Sequence, residues 1–159
     1  MQRWRTRFQL LAAHRHLQTL VDQLSNCIHT GDPWVAQGAW AELESAVLAH
    51  VEMEEQELLA PYDAADPVQA RRIRAEHDEI RATLADLGVR LDLHAVSEDA
   101  VAQLGRTLYE HVLHEERTMY QWATQHPAQA AVQALRTRLR RLRSKRATHS
   151  RWRSDAPPR

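Results

Sequence analysis

The sequence has few of the residues that stabilise small extracellular or β-rich proteins. Cys27 is its one cysteine, so the chain can form no internal disulfide and no thiolate metal cluster. Gly 4 and Pro 6 in 159 residues are too few for the many turns of a β-sandwich or barrel. These shortages favour an all-α protein in a reducing compartment, and we expect a cytoplasmic location.

Long hydrophobic runs and a leader sequence are also missing. No uninterrupted apolar stretch approaches the roughly 18 residues of a membrane span, so we expect no transmembrane segment. The N-terminus, MQRWRTRFQLLAAHRHL, has apolar patches broken by Arg and His and no small-residue cleavage site, so we expect no signal peptide. With 43% apolar and 26% charged residues, the composition is typical of a soluble globular domain.

The formal net charge of zero conceals an uneven distribution. From Arg136 to the C-terminus there are ten basic residues and one acidic residue, which leaves 11 basic and 20 acidic residues before Arg136. We therefore divide the chain into a helical body, residues 1–126, and a basic C-terminal helix and tail, residues 127–159. The tail is expected to dock on the acidic body, and the alternative is contact with nucleic acid or an anionic membrane surface.

Capping residues and apolar residues spaced at i, i+3 and i+4 predict four long helices. We expect them over residues 5–28, 33–59, 67–91 and 97–124, with a shorter fifth helix over residues 127–146. The pairs Asp32-Pro33 and Asp66-Pro67 begin helices, and Pro61 is expected to end the second one. Short connections between long helices predict an all-α, up-down-up-down four-helix bundle with an added basic C-terminal helix.

The chain also contains an internal repeat of a helical hairpin. HRHLQTLVDQL, which begins at His14, aligns with HDEIRATLADL 63 residues later, and LAHVEMEE aligns with YEHVLHEE 61 residues later, with His50 on His111. The second alignment also matches Glu54 with Glu115. Amphipathic helices share leucines by chance, but chance does not explain matched histidines and glutamates. The repeat therefore indicates polar residues at buried positions.

The repeated polar residues are predicted to meet inside the bundle. They are four histidines and two glutamates: His14, His50, Glu54, His77, His111 and Glu115. In the second and fourth helices the His and Glu stand one turn apart on one face. Burying six titratable groups without a partner is costly, so a cation site is the simplest explanation. Imidazole and carboxylate suit iron, manganese or zinc, and bridging carboxylates suit a two-metal centre.

Two other interpretations compete with the metal centre. A single inward histidine is more often a hydrogen-bonded core residue, so only the repetition of all six residues favours a cation. Without a cation, the chain would be a helical interaction module with an Arg-rich tail that binds nucleic acid or a membrane surface. A ferritin-like di-iron bundle is disfavoured, because none of the ten histidines has Glu three residues before it.

The polar residues lie in four segments, AAHRHLQTL, LAHVEMEEQELLAPY, RAEHDEIRATL and YEHVLHEERTMY. Over roughly residues 10–122 the chain resembles the hemerythrin-like (HHE cation-binding) domain. This resemblance implies a four-helix bundle that holds two non-haem iron ions. It further implies a ligand set of four terminal histidines and two bridging carboxylates: His14, His50, His77, His111, Glu54 and Glu115.

Two departures from the family pattern bear on function. Ile73 stands where respiratory hemerythrins have a fifth histidine, and Glu115 lies four residues after His111, where those proteins have an aspartate five residues after. The chain is therefore more similar to bacterial di-iron proteins linked to nitric oxide and oxidative stress than to simple O2 carriers. An iron with an open position is expected to bind O2, peroxide or nitric oxide, as an enzyme or a sensor, and iron storage is a neighbouring use.

For other residues near the predicted site, a position on the surface or in ordinary packing is the preferred interpretation. His16 is rotated about 200° from His14 on the first helix, away from its apolar side, so His14 is the preferred ligand. Two interpretations stay open for four further residues. Glu55 and Glu116 either support the ligands from outside or are solvated, His114 either reaches the rim of the site or faces outward, and Tyr120 either lines a pocket or packs without a role. The second interpretation is preferred in each case.

Overall fold

The computed structural model describes the backbone of residues 3–126 and the side chains of residues 11–126. Every element in that part of the chain is helical, which confirms the all-α prediction. The elements are α1 (Arg3–Thr30), α2 (Pro33–Glu54), a π-helical turn (Glu55–Leu59), α3 (Ala60–Ala65), α4 (Pro67–Asp92), α5 (Glu98–Arg117) and α6 (Met119–Gln125). The predicted fifth helix and the basic tail lie outside the described residues.

The helices begin at the capping residues that the sequence indicates. Asp32 accepts hydrogen bonds from two backbone amides at the start of α2, Asp66 accepts one from Gln69, and Ser97 accepts one from Ala100. Between α1 and α2 the chain turns at Gly31, whose φ of 74° is a left-handed conformation that glycine adopts without strain. These local signals fix where α2, α4 and α5 start.

The four long helices form a closed ring of neighbours. Helix α1 packs against α2 and α5, and α4 packs against the same two helices, so α1 lies diagonally opposite α4. The chain reverses direction at each short connection between these helices, which gives the predicted four-helix bundle. One side chain from each helix can therefore reach the bundle axis at the same level.

Two predicted helix ends are wrong. The second helix was expected to end before Pro61, but it continues through the π-helical turn into α3, where Pro61 lies in the first turn and its missing N–H disturbs no hydrogen bond. The fourth helix was expected to run to residue 124, but it breaks at Thr118, with φ −117° and ψ −89°, and restarts as α6. Both irregularities follow closely after a predicted metal-ligating glutamate.

Two apolar clusters fill the core. The larger cluster includes Leu24, Leu43, Leu84 and Leu104 from the four long helices. The smaller cluster contains residues of the π-helical turn, α3, α4 and α6: Leu58, Leu59, Tyr62, Ala70, Ile73, Met119 and Tyr120. Along α2, α4 and α5 the predicted site residues lie between the residues of these two clusters. The polar site is therefore enclosed by apolar packing on both sides.

None of the helices that the structure describes is both long enough and apolar enough to cross a membrane.

Candidate metal centre

All six residues predicted for the site are buried and lie together in the bundle. Among the side chains that the structure describes, they are the only buried polar or charged ones: His14, His50, Glu54, His77, His111 and Glu115. Glu54, His77 and Glu115 have no exposed surface at all. His16, two residues after His14, is exposed, in agreement with the preference for His14. The role of the six residues as metal ligands stays a prediction.

The six residues form two overlapping groups of four. One group is His14, His50, Glu54 and Glu115, and the other is His77, His111, Glu54 and Glu115. Within each group one ligand atom from every residue lies within 4.8 Å of the others. We call these groups site 1, with His14 and His50, and site 2, with His77 and His111. The two glutamates belong to both sites, as carboxylates that bridge two cations must.

The distances reproduce the repeat seen in the sequence. His50 Nε2 lies 3.3 Å from Glu54 Oε1, and His111 Nε2 lies 3.3 Å from Glu115 Oε2, each pair one turn apart on its helix. His77 Nε2 lies 3.5 Å from Glu54 Oε2 and 3.4 Å from Glu115 Oε1, so it faces both carboxylates. The imidazoles therefore turn their Nε2 atoms toward a shared pair of carboxylates.

Four buried polar atoms at the centre lack a hydrogen-bond partner within the described part of the chain. They are His50 Nε2, Glu54 Oε2, His111 Nε2 and Glu115 Oε2. Leaving a buried polar atom unsatisfied costs about 1–3 kcal/mol, so four in one place are unusual unless something else binds them. All four belong to residues of site 1 or site 2, where one ligand atom of each residue lies within 4.8 Å of the others in its group. Cations held between the two sites would satisfy all of them together.

Carboxylates outside the centre orient two of the four imidazoles. The Nδ1–H of His77 donates to Glu55 Oε1 at 3.1 Å, and the Nδ1–H of His14 donates to Glu116 Oε1 at 3.1 Å. Arg81 in turn donates to Glu55 at 2.8 Å. The expectation that these two glutamates are merely solvated is therefore wrong. With Nδ1–H held from outside, Nε2 is the atom that each of these two rings directs at the centre, and a cation would bind there in place of a proton.

Glu76 orients a third imidazole and was missed by the sequence analysis. Its Oε2 accepts from His111 Nδ1 at 3.1 Å, and it also accepts from His114 Nδ1 at 2.9 Å. His114, expected to face outward, is half-buried and also lies 2.8 Å from Gln69 Oε1. The available signal was only that Glu76 directly precedes His77. Its contact with α5 depends on how α4 and α5 pack, which spacing within one helix does not give.

Tyr120 also belongs to the centre, although plain packing was the favoured interpretation. Its hydroxyl donates to Glu54 Oε1 and lies 3.0 Å from His14 Nε2. The phenol ring stacks on the His14 ring with centroids 5.0 Å apart and an interplanar angle of 9°. The break at Thr118 sets the rotation of α6 and thereby allows this contact. A single hydroxyl thus contacts two members of site 1.

Burial and neighbouring charges shift the pKa values of the site residues in opposite directions. Burial and the neighbouring Glu115 raise the pKa of Glu54 to about 7. Burial opposes charge on Glu115 too, but hydrogen bonds from His14 and His77 outweigh it and lower the pKa of Glu115. Burial likewise opposes charge on His77, yet the two carboxylates raise its pKa to about 10, whereas burial lowers the pKa of His50 to about 4. Perturbed groups of this kind are typical of functional sites.

Comparison with known proteins gives one family. The family model described as the hemerythrin HHE cation binding domain matches residues 7–123, a span that includes all six site residues, Glu76 and Tyr120. No curated protein and no solved structure matches the chain significantly.

Proposed function

Since the chain belongs to the hemerythrin HHE cation-binding family, we propose that its bundle holds two non-haem iron ions and uses them to bind, sense or detoxify O2, peroxide or nitric oxide. Each iron would take two histidines of its own and share both glutamates with its neighbour. The proposed ligands are His14, His50, His77, His111, Glu54 and Glu115.

The observation that carries this proposal is the overlap of the two four-residue groups at Glu54 and Glu115. A single cation would leave two histidines unused, whereas two cations account for every buried polar side chain at the centre. The four buried atoms without partners all belong to residues of these two groups, which supports the same occupancy. Nitrogen and oxygen donors without thiolate suit iron, and the family membership favours iron over manganese or zinc.

The chain's own residues would set the surroundings of the metal pair. Two irons supply redox chemistry and coordination positions for a small ligand when they are bound. The glutamates Glu55, Glu76 and Glu116 hold three imidazoles with Nε2 inward. The apolar cluster that contains Ile73 packs on the side where a fifth histidine is missing. Apolar surroundings favour a small ligand such as O2 or nitric oxide over larger polar ligands, and iron storage would use the same donors.

Metal analysis with optical spectra of the aerobic and reduced protein tests this proposal. We expect two irons per chain, one for each group, and a charge-transfer spectrum that changes with O2, peroxide or nitric oxide. His14→Ala should lower the iron content, whereas His16→Ala, an exposed neighbour on α1, should leave it unchanged. A colourless protein without iron would overturn the proposal and favour the metal-free interaction module.

Metal removal gives an independent test through stability. A ligand that binds only the folded state stabilises it by about 2.7 kcal/mol at a free concentration of one hundred times its Kd. We therefore expect a chelator to lower the free energy of unfolding by at least that amount and iron to restore it. Urea unfolding followed by circular dichroism measures the difference. Equal stability with and without the chelator would contradict a resident metal pair.

The cytoplasmic location and the use of the basic tail are part of the same proposal. The single cysteine, Cys27, supports a reducing compartment. Residues 127–159 would contact the acidic body or an anionic surface, either nucleic acid or membrane, through their arginines. The division of the chain at residue 126 remains a prediction from charge distribution.

A further inference from the structure

We propose that the Tyr120 hydroxyl is a fifth protein ligand at site 1, so that the two cations of the pair have unequal protein coordination. The inference rests on the proposed metal pair and adds a residue to one half of it. It also assigns the binding of O2, peroxide or nitric oxide to the cation of site 2. Cation 1 would have two histidines, two carboxylates and one phenolate, and cation 2 only the histidines and carboxylates.

The position of the hydroxyl is the first support. It lies 3.0 Å from Nε2 of His14, which belongs to site 1 alone, and it donates to Glu54 Oε1, the carboxylate oxygen 3.3 Å from Nε2 of His50 in the same site. Neighbouring donors on one cation lie about 3 Å apart when each is about 2.1 Å from the metal and the angle between them is near 90°. The distance between the phenolic oxygen and His14 Nε2 therefore fits that between two donors of one cation at site 1.

The packing of the ring is the second support. Tyr120 is 4% exposed and belongs to the smaller apolar cluster with Met119 and Ile73. Its ring stacks on that of His14, and the described contacts of its hydroxyl are to His14 and Glu54 alone. The side chain is thus held with its one polar atom directed at the centre, and an apolar wall closes behind it.

The internal repeat gives the third support, because it offers site 2 no equivalent group among the residues that the structure describes. The offset of 61 residues that matches Glu54 with Glu115 also matches Leu59 with Tyr120. Leu59 is buried in the same cluster but has no ligand atom. Ile73, one turn before His77, supplies no ligand atom either. Site 2 therefore keeps more open coordination, and we assign binding of O2, peroxide or nitric oxide to the cation held by His77 and His111.

Coordination by the phenol requires no oxidant or reductant. The O–H bond of Tyr120 breaks with its electron pair retained on oxygen, that pair forms the bond to the cation, and the proton passes to solvent. The charge of the cation is unchanged by this exchange. A ferric ion bound to phenolate absorbs visible light through charge transfer from oxygen to metal, which gives the proposal a signature separate from activity.

Resonance Raman spectroscopy of the ferric-loaded full chain tests the assignment. The chain has three tyrosines, so the double variant Tyr62→Phe/Tyr109→Phe leaves Tyr120 as the only source of a phenolate. We expect this variant to keep the tyrosinate ring vibrations under visible excitation at full intensity. Tyr120→Phe, which removes only the oxygen, should lose them while iron is still bound.

Iron content, measured on the same samples, separates the two levels of the argument. Iron-loaded protein without tyrosinate vibrations would overturn the assignment of Tyr120 and leave the metal pair intact. A wild-type chain that takes up no iron would contradict the proposed function itself. Because the double variant retains Tyr120, its spectrum decides the question even if Tyr120→Phe fails to fold.

Discussion

The two halves of the centre are alike at the inner positions and different around them. Each half has two histidines, and both share the two glutamates. The supporting carboxylates are also repeated, since Glu116 accepts a hydrogen bond from His14 as Glu55 does from His77. Beyond that the halves diverge. The repeated hairpin therefore places the same ligand types in both halves, while the residues around the ligands differ between the halves.

Two substitutions within the repeat produce the divergence. Glu76 contacts His111 in site 2, and the corresponding residue for site 1, 63 positions earlier, is Ala13. Tyr120 contacts site 1, and its counterpart for site 2 is Leu59. One half therefore has an additional carboxylate behind an imidazole, and the other has an additional hydroxyl at the centre. The comparison shows that a repeated set of ligands need not hold two equivalent cations.

Loss of a shared carboxylate should abolish metal binding at both sites together, and this is the largest effect we expect. Glu115→Gln replaces a bridging oxygen by an amide that cannot neutralise two cations, so iron content should fall from two per chain to nearly none. His50→Ala should remove iron mainly from site 1. Iron analysis after gel filtration measures both.

An exposed glutamate on the same helix provides the control for this experiment. Glu110→Gln lies on α5 outside the centre and should leave the iron content unchanged. Should Glu115→Gln retain both irons, the shared-carboxylate arrangement would be wrong. Should it retain one, Glu115 would serve only one half.

The inner residues could be predicted from sequence because regular helices place them. His50 with Glu54 and His111 with Glu115 are one turn apart, and the repeat marks both pairs. The residues around them depend on departures from a regular helix or on packing between helices. On a regular helix Tyr120 would be rotated about 140° from Glu115, and only the break at Thr118 brings it to the centre.

The overall fold could be predicted for a similar reason. Asp32, Asp66 and Ser97 cap their helices with hydrogen bonds between neighbours in sequence, so their effect is visible in the chain. The π-helical turn before Pro61 has no such local signal. It places Leu58 and Leu59 in the smaller apolar cluster, which is a requirement of tertiary packing.

Removing the support unique to site 2 should weaken that half and spare the other. Glu76→Gln keeps the shape of the side chain but loses the charge that holds the Nδ1–H of His111, and such losses lower metal affinity by about 10–100-fold. Stepwise metal titration should show one weakened and one unchanged binding step. Glu79→Gln, exposed on the same helix, is the matched control and should change neither step. Equal weakening of both steps would show that Glu76 does not distinguish the halves.

The smallest effect is expected from adding a donor where site 2 lacks one. Ile73→His places an imidazole one turn before His77, inside the smaller apolar cluster, where it would compete with an incoming ligand. We expect unchanged iron content and reaction with O2 or peroxide slowed by roughly threefold to tenfold, less than the loss of a supporting carboxylate. Ile73→Leu controls for packing, since volume-conserving changes cost less than about 1.5 kcal/mol. Equal stopped-flow rates for the two variants would contradict an open coordination position at site 2, because the added imidazole should block that position.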